Sequence, residues 1–131
     1  MFGIYIHIPY CRTVCPYCDF VKQQVDGVVP DTFVSALCAE IAESVGPDGA
    51  DTVFFGGGTP SLLAPESLAQ ILAAVSARFR LDAPEITVEA NPDDVTPGLV
   101  VAWRNLGVNR VSLGVQSFDD AVLRYLGRRH D

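Results

Sequence analysis

The chain has 131 residues, of which 49% are hydrophobic and 19% charged, and a formal net charge of −7, which suits one modest domain with its own core. No apolar run approaches the ~20 residues that span a bilayer. The nine Lys and Arg are too thinly spread for a nucleic-acid surface or for anionic lipid, which leaves small molecules and other proteins as partners.

In chain order, "MFGIYIHIPY" comes first. It has no basic region ahead of its apolar residues and no small-residue cleavage site, so it reads as a strand and not as a secretory signal. The expected location is the cytoplasm, where thiols stay reduced and free to bind metal. "CRTVCPYC" follows, with Cys11, Cys15 and Cys18, three of the chain's four cysteines. "DTFVSALCAEIAESV" predicts a helix with Val34, Leu37, Cys38, Ile41 and Val45 on one face and Asp31 as N-cap. "DTVFF" predicts a second strand. "PESLAQILAAVSARF" predicts a helix that begins at Pro65 and presents Leu68, Ile71, Leu72, Val75 and Phe79. "EITVEAN" predicts a third strand. "TPGLVVAWRNLG" predicts a short helix, with Thr96 as cap, Pro97 in first position and Gly107 as stop. "RVSLGVQ" predicts a fourth strand, and "SFDDAVLRYLG" a last helix opened by Ser117.

Strict β-α alternation implies a parallel sheet with right-handed crossovers, either doubly wound or part of a β/α barrel. The strand faces decide between them. Ile4, Ile6 and Ile8 oppose Tyr5 and His7; Ile86, Val88 and Ala90 oppose Thr87, Glu89 and Asn91; Val111, Leu113 and Val115 oppose Ser112, Gly114 and Gln116. Strands between two helix layers are apolar on both faces, whereas these are one-sided. The fold class expected is therefore α/β, a partial barrel of about four β-α units with a polar inner face.

Ligands bind where the carboxyl ends of such strands open into loops. Each strand here ends in something unusual: the cysteine loop, "GGGTP" (Gly56 to Pro60), Glu89 with Asn91, and Gln116 with Ser117. Soft thiolates select zinc, copper(I) or iron–sulfur clusters. Three cysteines are one too few for a cubane cluster and would leave one iron open to another ligand. The competing reading is a structural zinc site completed by His7 or Cys38, although Cys38 lies on an apolar helix face and reads as core. The glycine triplet lacks the Lys-Ser/Thr of a phosphate loop and the spacing of a dinucleotide fingerprint. It reads as a place where backbone approaches a ligand, in particular around Gly57, Gly58 and Thr59. Glu89, central in a strand, needs a partner, and a cationic ligand would be one. Gln116 offers both donor and acceptor. Arg128, in "GRRHD", would either pair with a carboxylate or stand solvated, and Tyr5 and Tyr17 would pack against a ligand or simply within the fold.

The C-x₃-C-x₂-C spacing, with an aromatic before the last cysteine, resembles the signature of the radical S-adenosylmethionine superfamily. Within it, "YIHIPYC", "FFGGGTPSLL", "VEANPD" and "RVSLGVQSFDD" resemble the oxygen-independent coproporphyrinogen III oxidase group, including its haem-chaperone branch. The resemblance implies a 4Fe–4S cluster on Cys11, Cys15 and Cys18, whose open iron takes the amino and carboxylate groups of S-adenosylmethionine. Reductive cleavage of that cofactor would then give methionine and a 5′-deoxyadenosyl radical. It implies further cofactor contacts at Tyr5, Tyr17, Gly57, Gly58, Thr59, Glu89, Gln116 and Arg128. The oxidases carry a fourth cysteine two residues after the third, where this chain has Phe20. That departure resembles the chaperone branch, which binds haem and delivers it to respiratory enzymes, and it counts against oxidase activity. His7 and His130 read as packing or solvated residues and not as haem ligands. The family's core domain has further β-α units and a separate C-terminal domain follows it, so residues 1–131 would be the N-terminal part of such a core.

Overall fold

Strands rich in β-branched and aromatic residues alternate with helices that each carry an apolar stripe, and the stripes are buried against the strands. The computed structural model describes residues 2–131. Its elements run β1 (Gly3–Ile8), β2 (Tyr10–Cys11), β3 (Gln23–Gln24), α1 (Asp31–Glu43), β4 (Gly49–Gly57), α2 (Pro65–Arg78), β5 (Arg80–Ala90), α3 (Pro97–Asn105), β6 (Arg110–Leu113) and α4 (Asp120–Tyr125). Short 3₁₀ turns, Pro60–Leu62 and Pro92–Asp94, follow β4 and β5.

Strands β1, β4, β5 and β6 form one parallel sheet in that order. Each strand joins beside the last, without the reversal of a doubly wound sheet. The fold is thus the partial β/α barrel expected from the one-sided strands. Ile6, Ile8, Val53, Phe55, Ile86, Val88 and Ala90 meet Val34, Ile41, Leu68, Ile71, Leu72, Val75 and Trp103 in one core. Among the described residues, no helix is long and apolar enough to cross a membrane.

The predicted caps of α3 hold: Thr96 Oγ1 accepts from Leu99 N–H at 3.2 Å, and Gly107 leaves the helix at φ 92°. Elsewhere the structure differs from the sequence expectation. Pro30 and not Asp31 stands at the N-cap of α1, without a side-chain bond. Ser44 is already extended, which puts Val45 outside the helix and 99% exposed. At α4 the cap is Asp119, whose carboxylate accepts from Ala121 and Val122 N–H, while Ser117 Oγ accepts from Asp119 N–H. Strand β5 starts earlier than the sequence implied. It pairs through Arg80 and Leu81 and again from Glu85, with a bulge between, where Ala83 takes φ 47°. Val111 and Leu113 were expected to be covered by a helix, yet they are 41% and 50% exposed. Helix α4, six residues long, buries Leu123 and leaves them open.

Candidate functional site

The cysteine loop is closed by a clamp. Strands β2 and β3 pair in parallel, Tyr10 with Gln23 and Cys11 with Gln24. Gln23 N–H donates to Pro9 O at 2.6 Å and Val25 N–H to Cys11 O at 2.9 Å. Residues 12–22 therefore leave and rejoin the domain at one point. Within the loop, Cys18 N–H donates to Cys15 O at 3.2 Å and Lys22 Nζ donates to Cys18 O. The sequence reading missed this clamp because two residues carry no period and Gln-Gln has no strand preference.

His7 ties the loop to the inner face of β1. Its Nε2 lies 3.1 Å from Val21 O and its Nδ1 3.1 Å from the Tyr5 hydroxyl. A carbonyl only accepts, so Nε2 carries the proton and Nδ1 accepts from Tyr5. Both nitrogens are committed, in keeping with the packing role expected of His7. His130 likewise donates from Nε2 to Val115 O at 2.9 Å.

Cys11, Cys15, Cys18, Tyr17, Gly57, Gly58, Thr59, Glu89, Gln116 and Arg128 all line one cavity of about 570 Å³, within the range of small-molecule sites. Ten of the eleven residues singled out from sequence thus converge. The exception is Tyr5, which stacks on Phe54 at 5.9 Å between ring centroids and lies near Glu89, whose charge adds to the burial that pushes its hydroxyl pKa up. The cavity also takes in Asn91, which the sequence placed with Glu89 on the same rim, and Phe20 and Lys22, which were not counted among the site residues. Lys22 had a signal, being a cation four residues beyond Cys18.

Cys11 is 7% exposed. Burial pushes its thiol pKa up, the Thr59 hydroxyl bond and Lys22 pull it down, and Cys18 and Cys15 add to the rise. Burial is also the main cause that raises Tyr17, followed by its bond to Cys15, with Arg128 opposing. All four cysteines are unpaired. Among the described residues, no three His, Cys, Asp or Glu side chains converge as a single-ion site; the three thiols line the one cavity. Cys38 packs against the core, as expected.

The glycine turn answers first to its own chain. Gly57 has φ 106°, and a Cβ there would lie 2.5 Å from the His7 ring. A Cβ on Gly58 would lie 2.7–2.8 Å from backbone atoms of Ile8 and Tyr10, and Gly58 N–H donates to Ile8 O at 2.8 Å. No side chain fits at either position, so bare backbone forms this part of the cavity wall. Glu89 finds a partner here too: its Oε2 accepts from Gly57 N–H at 3.2 Å.

On the far side, Gln116 adopts φ 68°, a left-handed conformation costly for a residue with a side chain. Arg128 donates from Nη2 to Asn91 Oδ1 at 2.8 Å and to Gly114 O at 2.6 Å, and from Nη1 to Cys15 Sγ at 3.8 Å. Its Nε is buried without a hydrogen-bond partner. The guanidinium therefore joins the ends of β5 and β6 to the cysteine loop.

A parallel β/α sheet with a three-thiol loop and a glycine turn on one rim defines a partial β/α barrel with its candidate site at the carboxyl ends of the strands. The chain belongs to the radical SAM superfamily, whose family model matches residues 5–131. It is 46% identical over 133 residues to "Heme chaperone HemW" of Escherichia coli (strain K12), covering 98% of this chain and 35% of that protein. It is 43% identical to mouse "Radical S-adenosyl methionine domain-containing protein 1, mitochondrial", covering 98% and 30%. Among solved structures it resembles coproporphyrinogen III oxidase (HemN) from Escherichia coli, described as a radical SAM enzyme, with TM-score 0.87 and 28% identity over 99% of this chain and 31% of that one. The chain thus spans about a third of the length of these relatives.

Proposed function

We propose that residues 1–131 are the N-terminal part of the core domain of a haem chaperone. In this reading, Cys11, Cys15 and Cys18 hold a 4Fe–4S cluster, and the adjoining cavity takes S-adenosylmethionine. The observation that carries the reading is the convergence of three thiols, a side-chain-free glycine turn, a carboxylate, an amide and a guanidinium on one cavity. The donor set fits such a cluster, since thiolates are its usual ligands and three leave one position for an exogenous group. Bound together, cluster and cofactor supply one-electron reductive cleavage of a carbon–sulfur bond.

The chain's own residues bind and orient. The Glu89 carboxylate, steadied by Gly57 N–H, suits the amino group of the cofactor's methionyl end. Arg128 suits its carboxylate, while Thr59 and the glycine backbone pack alongside. Gln116 reaches a neutral edge with both donor and acceptor, and Tyr17 covers the cavity from the loop. Tyr5, on β1, supports Glu89 across Gly56 of the intervening β4.

Haem and haem-accepting proteins are the proposed partners, supported by the relatives named as haem chaperones. Phe20 is the second support: the cavity has an aromatic ring where the oxidases place a thiol. Four unpaired cysteines suit a reducing compartment, the cytoplasm. Oxygen-independent coproporphyrinogen oxidation is the second reading, favoured by the structural likeness to HemN.

Anaerobic reconstitution tests the site. About four irons and four sulfides per chain, with an electron-paramagnetic signal that changes on adding S-adenosylmethionine, are expected. Zinc near one per chain without iron would favour the structural zinc module instead. Haem transfer to an apo-acceptor by the longest natural form of the protein tests the chaperone reading, and a vinyl-bearing product from coproporphyrinogen would move it to the oxidase.

A further inference from the structure

Asp94 lies outside the cavity lining, yet its side chain is only 4% exposed. A carboxylate that deep is rarely left without charged or hydrogen-bonding partners. One oxygen accepts from Ser61 Oγ at 2.8 Å; the other meets Arg12 Nη1 at 3.2 Å. Arg12 directly follows Cys11, and Ser61 stands two residues after Thr59. Gly58 N–H, at the glycine turn, donates to Ile8 O at 2.8 Å. These links close a ring: Cys11 to Arg12 through the chain, Arg12 to Asp94, Asp94 to Ser61, Ser61 to Gly58 through the chain, Gly58 to Ile8, and Ile8 back to Cys11 through the chain.

We propose that Asp94 is a positioning residue which, through this ring, holds Cys11 against the glycine turn and so sets how long the three-thiol site retains iron. The proposal rests on the cluster reading above. Its logic is geometric. Cys11 ends β2, three residues beyond β1, Thr59 follows β4, and the carboxylate that bridges their loops comes from the turn after β5. Three strand ends are thus locked together by a single side chain. An exposed arginine pair is ordinarily worth little, but here the acidic partner is buried and already held by a hydroxyl, so the arginine is offered a fixed target. A second pair, Arg129 Nε to Asp93 Oδ2 at 3.2 Å, ties the segment after α4 to the same turn without joining the ring, which makes it a control.

The test uses the longest natural form of the protein, reconstituted anaerobically. A ferrous chelator strips the iron while visible absorption is followed, and thermal melting is recorded for each apo-protein. Arg12→Ala, Ser61→Ala and Asp94→Asn are expected to lose iron about tenfold faster than wild type, the scale of one charge-assisted hydrogen bond. Arg12→Lys is expected to recover part of the loss, and Arg129→Ala to match wild type. Arg12 is 45% exposed, so Arg12→Ala keeps the fold and its apo-protein melts within about 2 °C of wild type. The proposal is overturned if Arg12→Ala and Ser61→Ala retain iron as long as wild type, or if Arg129→Ala speeds loss equally. It is also overturned if iron loss merely follows the melting point. A wild-type protein that takes up no iron overturns the cluster reading itself, whereas one that holds iron while the variants hold it as well overturns only the ring.

Discussion

Between β1 and β5 the helix-facing side chains Ile6, Ile8, Val53, Phe55 and Val88 are buried, whereas Val111 and Leu113 on β6 stand half exposed. The candidate site takes its parts from both regions. Cys11, the glycine turn and Thr59 come from the covered strands, while Gln116 and Arg128 follow the uncovered one. Close packing resists displacement and an open face does not. The thiols and the turn are therefore held by the core, and the far wall is held by side-chain hydrogen bonds through Arg128. Metal retention should depend on the first region, and cofactor affinity on the second.

The largest effect should come from the covered side: Cys11→Ser is expected to reduce iron uptake on reconstitution to background, and substantial iron in that variant would break the ligand assignment. Packing contrasts the two regions directly. Phe55→Ala should cost about 3–5 kcal/mol, while Leu113→Ala should cost under about 1 kcal/mol; denaturant melts of both give the comparison, and equal losses would abolish it. Gly57→Ala should cost about 2–3 kcal/mol, since a Cβ there combines left-handed strain with overpacking against His7. Gln116→Gly should separate stability from binding, gaining about 1 kcal/mol by relieving its left-handed backbone while weakening S-adenosylmethionine binding in titration calorimetry. The smallest effect concerns Cys38, whose thiol pKa is raised by burial. The unfolded chain then loses that proton at lower pH than the folded one. This thiol's share of apo-protein stability is present below the ordinary thiol range and declines as pH rises through the folded value. Melts at increasing pH should show a slight extra loss in wild type that Cys38→Ala removes.

Gln116 and Asp94 show how far the sequence could be read. Gln116 was legible because alternation along "RVSLGVQ" put it on the polar face, but its left-handed backbone was not, since nothing local marks a glutamine for that conformation. Asp94 was invisible as a linker. In sequence it is one aspartate among acidic neighbours, and its partners Ser61 and Arg12 lie 33 and 82 residues away. Glu89 falls between: its need for a partner was read from its flanking apolar residues, but the partner is an amide of the glycine turn within the chain.

By itself the sequence determined the order of strands and helices, the apolar faces of α2 and β5, the cap of α3 and the grouping of three thiols, because these follow from period, capping chemistry and spacing along the chain. Only the tertiary structure decided the β2–β3 clamp, the end of α1 before Val45, the exposed face of β6 and the burial of Asp94. Each of these depends on which distant residue arrives alongside, and so on free energies that no local window contains.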